Sequence, residues 1–291
     1  MKAMLSKKMI AVAIAAMSLS ATAAAQSTPA PVDQPFPDFK VTRPGTNLTF
    51  TADKILGQYT ERATFNADGT FDVTLLWTAS QFVRNDGNDP VANSATGLTN
   101  AYGLYATYRA SGTFMPTGNG QTRFVFTPGT GSFNLFLDAN NDTLADPLDP
   151  DAAVRYTTPG TGTGSFGFDS AYTGDDIELA FGVAVAGEGN LNPALSTCGN
   201  SNPGAINCGS FGSTTSFTLT DAGKGFFVDP RPFYNLSFQA GQLNNFAPVG
   251  DVLINGSLDV VFGVPEPTSL GLLGLGLLGL GAAANRRKKA K

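Results

Sequence analysis

The chain has 291 residues and contains no histidine. The lack of histidine excludes Ser-His-Asp and Cys-His catalysis and histidine-ligated metals. Between residues 26 and 264 there are 22 acidic and 10 basic residues, and this balance argues against a nucleic-acid-binding protein, which needs a basic surface to neutralise phosphates. The 34 glycines, 18 prolines and 22 phenylalanines favour strands and turns over helices.

The N-terminal residues have the pattern of a secretory signal peptide. Three lysines precede an apolar run over residues 9–19, and small residues follow up to an A-x-A site that ends at Ala25. The pattern predicts that signal peptidase removes residues 1–25 and that the protein is exported. An uncleaved membrane anchor is the alternative, but the apolar run is short for a membrane span.

The segment behind the signal peptide divides into a leader and a strand-rich domain. Residues 26–45 contain five prolines, which predicts an extended leader. From residue 46 to residue 263 the sequence shows strand-like runs separated by turn residues and little helical periodicity. The predicted strands cover residues 46–51, 55–65, 70–84, 101–114, 122–126, 132–138, 165–168, 177–185, 216–219, 232–238 and 252–262.

These runs predict an all-β fold. About eleven strands in one domain are typical of a large antiparallel β-sandwich of the jelly-roll-like kind, and an open barrel is the alternative. Two packed subdomains with a break within residues 139–163 are a further alternative. In the run from Phe71 to Trp77 the alternate positions are all apolar, which predicts that this face of the strand lies in the core.

The C-terminal residues 264–291 have the composition of a short membrane anchor. The triplet Pro265, Glu266 and Pro267 precedes an uncharged run over residues 270–284, and a cluster of basic residues ends the chain. This run is shorter than the ~17–25 residues of a usual span, so the predicted transmembrane helix is marginal. Basic flanks stay in the cytoplasm, so the preceding domain is expected outside. A plain C-terminal anchor is the simplest interpretation.

This arrangement resembles the PEP-CTERM sorting signal of Gram-negative bacteria, in which a Pro-Glu-Pro triplet, a short membrane helix and a basic cluster end an exported protein. The resemblance implies that exosortase, an integral-membrane cysteine transpeptidase, recognises Pro265, Glu266 and Pro267. It implies that the helix over residues 270–284 anchors the protein transiently and is then lost. It also implies an inner-membrane intermediate, followed by the cell surface or the extracellular matrix of a host that makes exopolysaccharide.

The start of the predicted domain resembles flocculation-associated PEP-CTERM ectodomains. The resemblance is carried by the runs FTADKILGQYTE at residues 50–61 and TFNADGTF at residues 64–71. Neither run is a catalytic motif. The resemblance implies a role in the extracellular matrix or in cell aggregation, with an extracellular polysaccharide as the hypothetical partner.

An acidic run after one predicted strand indicates a candidate calcium site. Oxygen-bearing side chains recur at relative positions 1, 3, 5, 9 and 12, a spacing with which a tight loop can converge its oxygens on one hard cation. Thr143 stands where such a loop has glycine, and an aspartate replaces the longer final glutamate. A solvated acidic turn is the alternative interpretation. The candidate ligands are Asp138, Asn140, Asp142, Asp146 and Asp149.

The two cysteines, Cys198 and Cys208, lie in a segment rich in glycine, asparagine and proline. In an exported protein, two cysteines in such a segment with no others in the chain predict a disulfide that closes a surface loop. A redox pair is the alternative, but it would need C-x-x-C spacing and a charge that stabilises a thiolate, and neither is found here.

Two classes of function stay open. The leading hypothesis is a non-enzymatic surface or matrix protein, sorted by exosortase and acting in exopolysaccharide-linked biofilm or floc formation. The alternative is a carbohydrate-binding module, with a carboxylate-dependent glycoside hydrolase as a more distant one, because an acid and a base suffice without histidine. Asp175, Asp176 and Glu178 are candidate carboxylates, although a solvated strand entry is the simpler interpretation.

Overall fold

The computed structural model describes residues 36–145, 154–198 and 207–263. Within these ranges the chain is built from antiparallel strands and two short helices, which confirms the predicted all-β class. The strands are β1 (Phe39–Thr42), β2 (Thr49–Ala52), β3 (Lys54–Phe65), β4 (Thr70–Arg84), β5 (Asp89–Pro90), β6 (Gly103–Gly118), β7 (Gln121–Phe126), β8 (Ser132–Asp138), β9 (Tyr156–Thr157), β10 (Gly167–Phe168), β11 (Ile177–Gly182), β12 (Ala184–Leu191), β13 (Gly209–Ser216), β14 (Thr218–Leu219), β15 (Phe227–Asp229), β16 (Leu236–Leu243) and β17 (Gly250–Gly263). The helices are α1 (Asn93–Thr96) and α2 (Asp221–Phe226).

Eight strands form a closed antiparallel barrel in the order β6, β7, β12, β13, β16, β17, β3 and β4, and the pairing of β4 with β6 closes the ring. Strand β6 is long enough to pair with β8 along its first half and with β7 along its second half. Strands β11 and β14 extend the sheet beyond β8, outside the ring. The strands thus form a closed sheet and not the predicted jelly-roll-like sandwich. The sequence did not distinguish the two because side-chain alternation specifies the buried face of a strand but not which strand edges meet.

The barrel interior is a core of large side chains. Phe71 and Trp77 are 2% and 3% exposed, which confirms the inward face predicted for β4. The Trp77 indole Nε1 donates a hydrogen bond to the Leu258 carbonyl across the barrel wall (2.9 Å). A Cβ atom at Gly57 would overlap this indole, and one at Gly241 would overlap an aromatic ring from β13. Glycines at these strand positions therefore make room for the rings, as close packing requires.

A small sheet of β15, β1 and β2 packs against the same core. Phe39 and Val41 of β1 are fully buried, and the Phe39 ring lies 5.1 Å from that of Phe262. Strand β1 falls within residues 26–45, which the sequence predicts to be an extended leader. The difference arises because Phe39 and Val41, two positions apart and so on the same face of the strand, fill core space and fix the segment in a sheet.

A second, smaller apolar cluster lies outside the barrel. Leu76 and Tyr105 point away from the interior, and Phe166 covers them. The Tyr105 ring stacks on Phe136 with 5.1 Å between centroids. The described chain from residue 154 onward therefore shields part of the outer face of β4 and β6 from solvent.

No helix within the described ranges is long and apolar enough to cross a membrane. Three predicted segments lie outside the described residues: the signal peptide at 1–25, the first part of the leader at 26–35 and the C-terminal segment at 264–291. The predicted strand-rich domain, residues 46–263, contains all of the barrel strands.

Candidate functional site

A polar groove crosses the outer face of the barrel over strands β16, β17, β3 and β4. Its volume is about 580 Å³, within the ~300–1,000 Å³ typical of small-molecule sites. Ser257, Gln58 and Thr78 are register partners on three neighbouring strands and form a row across it. They face outward because their strand neighbours Tyr59 and Trp77 face the core.

The described residues that line this groove are all uncharged. Most of them carry an amide or a hydroxyl, and such groups both donate and accept hydrogen bonds. We call this surface the amide groove and define it by Gln58, Thr60, Asn207, Gln242, Asn244 and Asn255.

Two amide oxygens at the groove have no hydrogen-bond partner among the described residues. They are the Oδ1 atoms of Asn207 and Asn244, and both are buried from solvent. The Oδ1 atom of Asn255, by contrast, accepts a hydrogen bond from Thr60 Oγ1 (2.9 Å). Because solvent does not reach these two oxygens, the groups that an external partner can contact are the exposed side chains of the groove, such as Gln58 and Ser257.

The disulfide holds one wall of the amide groove. The structure confirms the predicted pair, Cys198 with Cys208, and both residues are buried. The Cys208 backbone N–H donates to the Leu243 carbonyl (2.9 Å). Asn207 has a φ of +60°, a left-handed conformation that asparagine tolerates. The crosslink therefore fixes Asn207 next to Leu243 and Asn244.

Two tyrosines border the groove. The Tyr59 hydroxyl donates to the Gln242 carbonyl (2.7 Å), and burial raises the pKa of this phenol, so that it stays a neutral donor. Tyr156 on β9 is partly exposed and packs against Phe166 with 6.0 Å between ring centroids. Tyr156 thus places an aromatic ring at the edge of the groove.

A cluster of carboxylates lies at the end of β8. Asp138, Asp142 and Asp175 place one carboxylate oxygen each within 4.8 Å of the others, and we call these three residues the acidic cluster. The two carboxylate oxygens of Asp138 accept hydrogen bonds from the backbone N–H groups of Asp142 (3.0 Å) and Thr143 (2.9 Å). Oδ1 of Asp142 is buried and has no hydrogen-bond partner in the part of the chain that the structure describes. Burial is the main cause that raises the pKa of the Asp138 carboxyl above its ordinary value.

The acidic cluster contains two of the predicted calcium ligands, Asp138 and Asp142, and one residue that was not predicted as a ligand. Asp175 comes from the turn before β11, and its Oδ2 accepts the backbone N–H of Asn140 (2.8 Å). Asn140, a further predicted ligand, is exposed, and its backbone N–H is the group that contacts Asp175. Asp146 and Asp149 lie outside the described residues.

Thr143 occupies the position at which a calcium loop has glycine. It is fully buried, and its hydroxyl lies 2.9 Å from Asp176 Oδ1. The other oxygen of Asp176 accepts a hydrogen bond from the Tyr105 hydroxyl (2.7 Å), and burial raises the pKa of Asp176. Glu178 accepts from the Asn134 amide (2.6 Å). The carboxylates considered for a hydrolase are thus engaged in hydrogen bonds within the fold.

One further carboxyl lies inside the barrel. Glu61 is 8% exposed and borders a cavity of about 30 Å³ whose other walls include Phe65, Phe71 and Phe124. Loss of solvation raises the pKa of Glu61 to about 8. Within the described residues its carboxyl has neither a hydrogen bond nor an ion pair, so the acid is surrounded by apolar groups.

The amide groove is the feature that sequence reasoning missed. Alternation along β3 and β17 could have marked Gln58, Thr60 and Asn255 as outward polar positions. No sequence signal brings Asn207 and Asn244 to the same opening, because that meeting depends on the closure of the barrel and on the disulfide loop.

Comparison with known proteins bears on the C-terminal end of the chain. The family model of the PEP-CTERM protein-sorting motif matches residues 263–288. This match confirms the predicted sorting signal, which includes Pro265, Glu266 and Pro267, and supports an exported protein that exosortase sorts toward the cell surface. The match begins at the last residue of β17 and so leaves the barrel itself unassigned. No curated protein and no solved structure matches the chain.

Proposed function

We propose that this protein is a non-enzymatic surface or extracellular-matrix protein that acts in exopolysaccharide-linked biofilm or floc formation. The observation that carries the proposal is the sorting motif at residues 263–288, because it directs the barrel toward the cell surface. Signal peptidase would remove residues 1–25, and exosortase would release the protein from its transient anchor at 270–284. The resemblance of residues 50–61 and 64–71 to flocculation-associated ectodomains supports the same role.

Two features of the barrel suit a protein that works outside the cell. The disulfide between Cys198 and Cys208 is of the kind that persists in oxidising compartments. The amide groove offers uncharged hydrogen-bonding groups on a chain that is otherwise acidic. Such a surface can contact hydroxyl-rich polymers in the matrix without the basic residues that nucleic acids require.

Deletion of the gene in its host tests the proposed role. The deletion strain should flocculate less than the parent, and the wild-type gene should restore flocculation. A gene with Pro265, Glu266 and Pro267 all replaced by alanine should not restore it, because its product is not sorted. Total polysaccharide, measured alongside, separates a defect in cohesion from a defect in synthesis. Unchanged flocculation in the deletion strain would overturn the proposal.

A carbohydrate-binding module is the second candidate function, and the amide groove is the observation that favours it. A binding module should be retarded in native gels that contain the polysaccharide of the host. A glycoside hydrolase should instead release reducing ends from the same polymer. Retardation without release would favour binding over hydrolysis.

We also propose that the acidic cluster binds calcium. Three carboxylates converge there, and none of the described residues gives Oδ1 of Asp142 a hydrogen bond. Oxygen ligands of this kind suit a hard divalent cation, which would offset the mutual repulsion of the three carboxylates. An affinity of about 10⁻⁴–10⁻³ M is typical of extracellular calcium modules, and removal of calcium should then lower the stability of the barrel.

A further inference from the structure

We infer that the amide groove binds a neutral saccharide chain. The inference deepens the proposed role and rests on it, because the protein would meet such chains at a polysaccharide-rich cell surface. It specifies the part of the molecule that makes the contact and the chemical class of the partner.

The floor of the groove presents hydrogen-bonding groups in rows. Ser257, Gln58 and Thr78 form one row, and Asn255 with Thr60 begins the next. Neighbouring strands lie ~4.8 Å apart, a spacing comparable to the length of one pyranose ring. A chain laid across the strands can therefore place successive sugar units over successive side chains.

The chemistry of these groups matches sugar hydroxyls. A hydroxyl donates one hydrogen bond and accepts others, and so do the amides and hydroxyls of the groove. The exposed amides of Gln58, Gln242 and Asn255 can each donate to a sugar hydroxyl and accept from one. The Tyr156 ring at the edge offers a surface for the apolar face of a sugar.

Because its lining is uncharged, the groove favours neutral chains over acidic ones. Its described lining contains no lysine or arginine to pair with a uronate, sulfate or phosphate. The chain carries a formal charge of −5 and would repel a polyanion in addition. A neutral hexose polymer is therefore the class of partner that the groove fits.

Affinity electrophoresis of the exported protein, purified from the surface or medium of its host, tests the inference. The gels contain dextran, galactomannan, the neutral polysaccharide fraction of the host, or alginate as the acidic probe. At least one neutral polymer should retard the protein, and alginate should not. Retardation by none of the neutral polymers, or equal retardation by alginate, would overturn the inference.

Paired variants locate the contact. Gln58→Ala with Asn255→Ala removes two outward side chains and should weaken the association with the retarding polymer by about tenfold or more. The control, Thr113→Ala with Thr127→Ala, removes two exposed hydroxyl side chains that do not line the groove, and should bind like the wild type. Matching melting temperatures of the variants exclude misfolding. Equal binding by the groove variant and the control would contradict the inference.

The gels and the deletion strain together separate this inference from the proposed function. If the deletion strain loses flocs but no neutral polymer retards the protein, the matrix role stands and the groove inference fails. If the groove binds neutral polymers but deletion leaves flocculation unchanged, the inference stands and the proposed function fails.

Discussion

The barrel interior and the amide groove both contain polar side chains, but they differ in access to solvent. Glu61 lies against a cavity of about 30 Å³ among phenylalanine rings, whereas Gln58 and Asn255 are exposed along an opening of about 580 Å³. A carboxyl enclosed by apolar groups stays protonated, because the neutral form loses less solvation free energy on burial than the charged form. Amides at an opening can instead take a partner from outside. Access to solvent, more than residue type, decides whether a polar side chain affects protonation or binding.

The largest expected effect concerns the interior and the pH dependence of folding. Burial raises the pKa of Glu61 from 4.5 to about 8, so the folded state keeps a proton that the unfolded state releases between these values. This contribution to the free energy of unfolding is fully present below about pH 4.5 and is lost as the pH rises to about 8. The loss is on the order of 3–5 kcal/mol. In the wild type, the urea midpoint at pH 8.5 should therefore be lower than the midpoint at pH 5. Glu61→Gln should remove the part of this difference that Glu61 causes.

Glu188→Gln provides the control for this experiment. Glu188 pairs with Arg123 (2.8 Å) on the partly exposed outer face of the barrel. Its variant should keep the pH dependence of the wild type. Full wild-type pH dependence in Glu61→Gln would show that the interior does not hold a neutral acid.

The next effect links the disulfide to the groove. Cys198→Ser with Cys208→Ser should lower the free energy of unfolding by about 2–3 kcal/mol, because the crosslink closes a short loop in the unfolded chain. It should also weaken binding of the retarding neutral polymer, since Asn207 loses its fixed position. Urea unfolding and affinity electrophoresis measure the two effects. Lower stability with unchanged binding would separate the disulfide from the groove.

A glycine substitution tests the close packing of the interior. Gly57→Ala should destabilise the barrel by about 1–3 kcal/mol, because the added Cβ overlaps the Trp77 indole and the carbonyl of Thr78. Gly212→Ala is the matched control, since its Cβ meets nothing nearer than the Gln239 carbonyl at 3.8 Å. Urea unfolding of both variants gives the comparison. Similar midpoints for the two would contradict the packing described for the interior.

The smallest effect concerns the acidic cluster. Calcium at ten times its dissociation constant should stabilise the protein by about 1.4 kcal/mol, or a rise of about 3–5 °C in melting temperature over EDTA. Asp142→Asn with Asp175→Asn keeps the side-chain sizes and should abolish the rise. Asp229→Asn, on an exposed residue outside the cluster, should preserve it. Coincident melts of the wild type with EDTA and with calcium would show that the cluster is a solvated turn.

Local pattern predicted much of the barrel, and chain closure explains most of what it did not predict. Alternation along β4 placed Phe71 and Trp77 in the core, because strand residues alternate whatever the topology. The pairing of β4 with β6 is set by which edges meet in space, so a sandwich and a barrel share the same local signals. The sequence predicted a leader at Phe39 because the nearby prolines are a stronger signal than an apolar alternation of only two residues.

The candidate sites show the same division. The spacing of Asp138 and Asp142 follows from the loop itself and is visible in the sequence. Asp175 joins them because β11 pairs with β8, a contact between segments more than 30 residues apart. The cysteine pair needed little tertiary information, since it is the only pair in an exported chain.

The central claim is that the chain is exported and then sorted at its C-terminal motif, and intact-mass measurement of protein recovered from the host's surface tests it most directly. The account predicts a mass that lacks residues 1–25 and also lacks the segment that follows the Pro265–Pro267 triplet. The measurement needs no knowledge of the ligand of the groove. A mass that retains Arg286–Lys291 would contradict exosortase sorting.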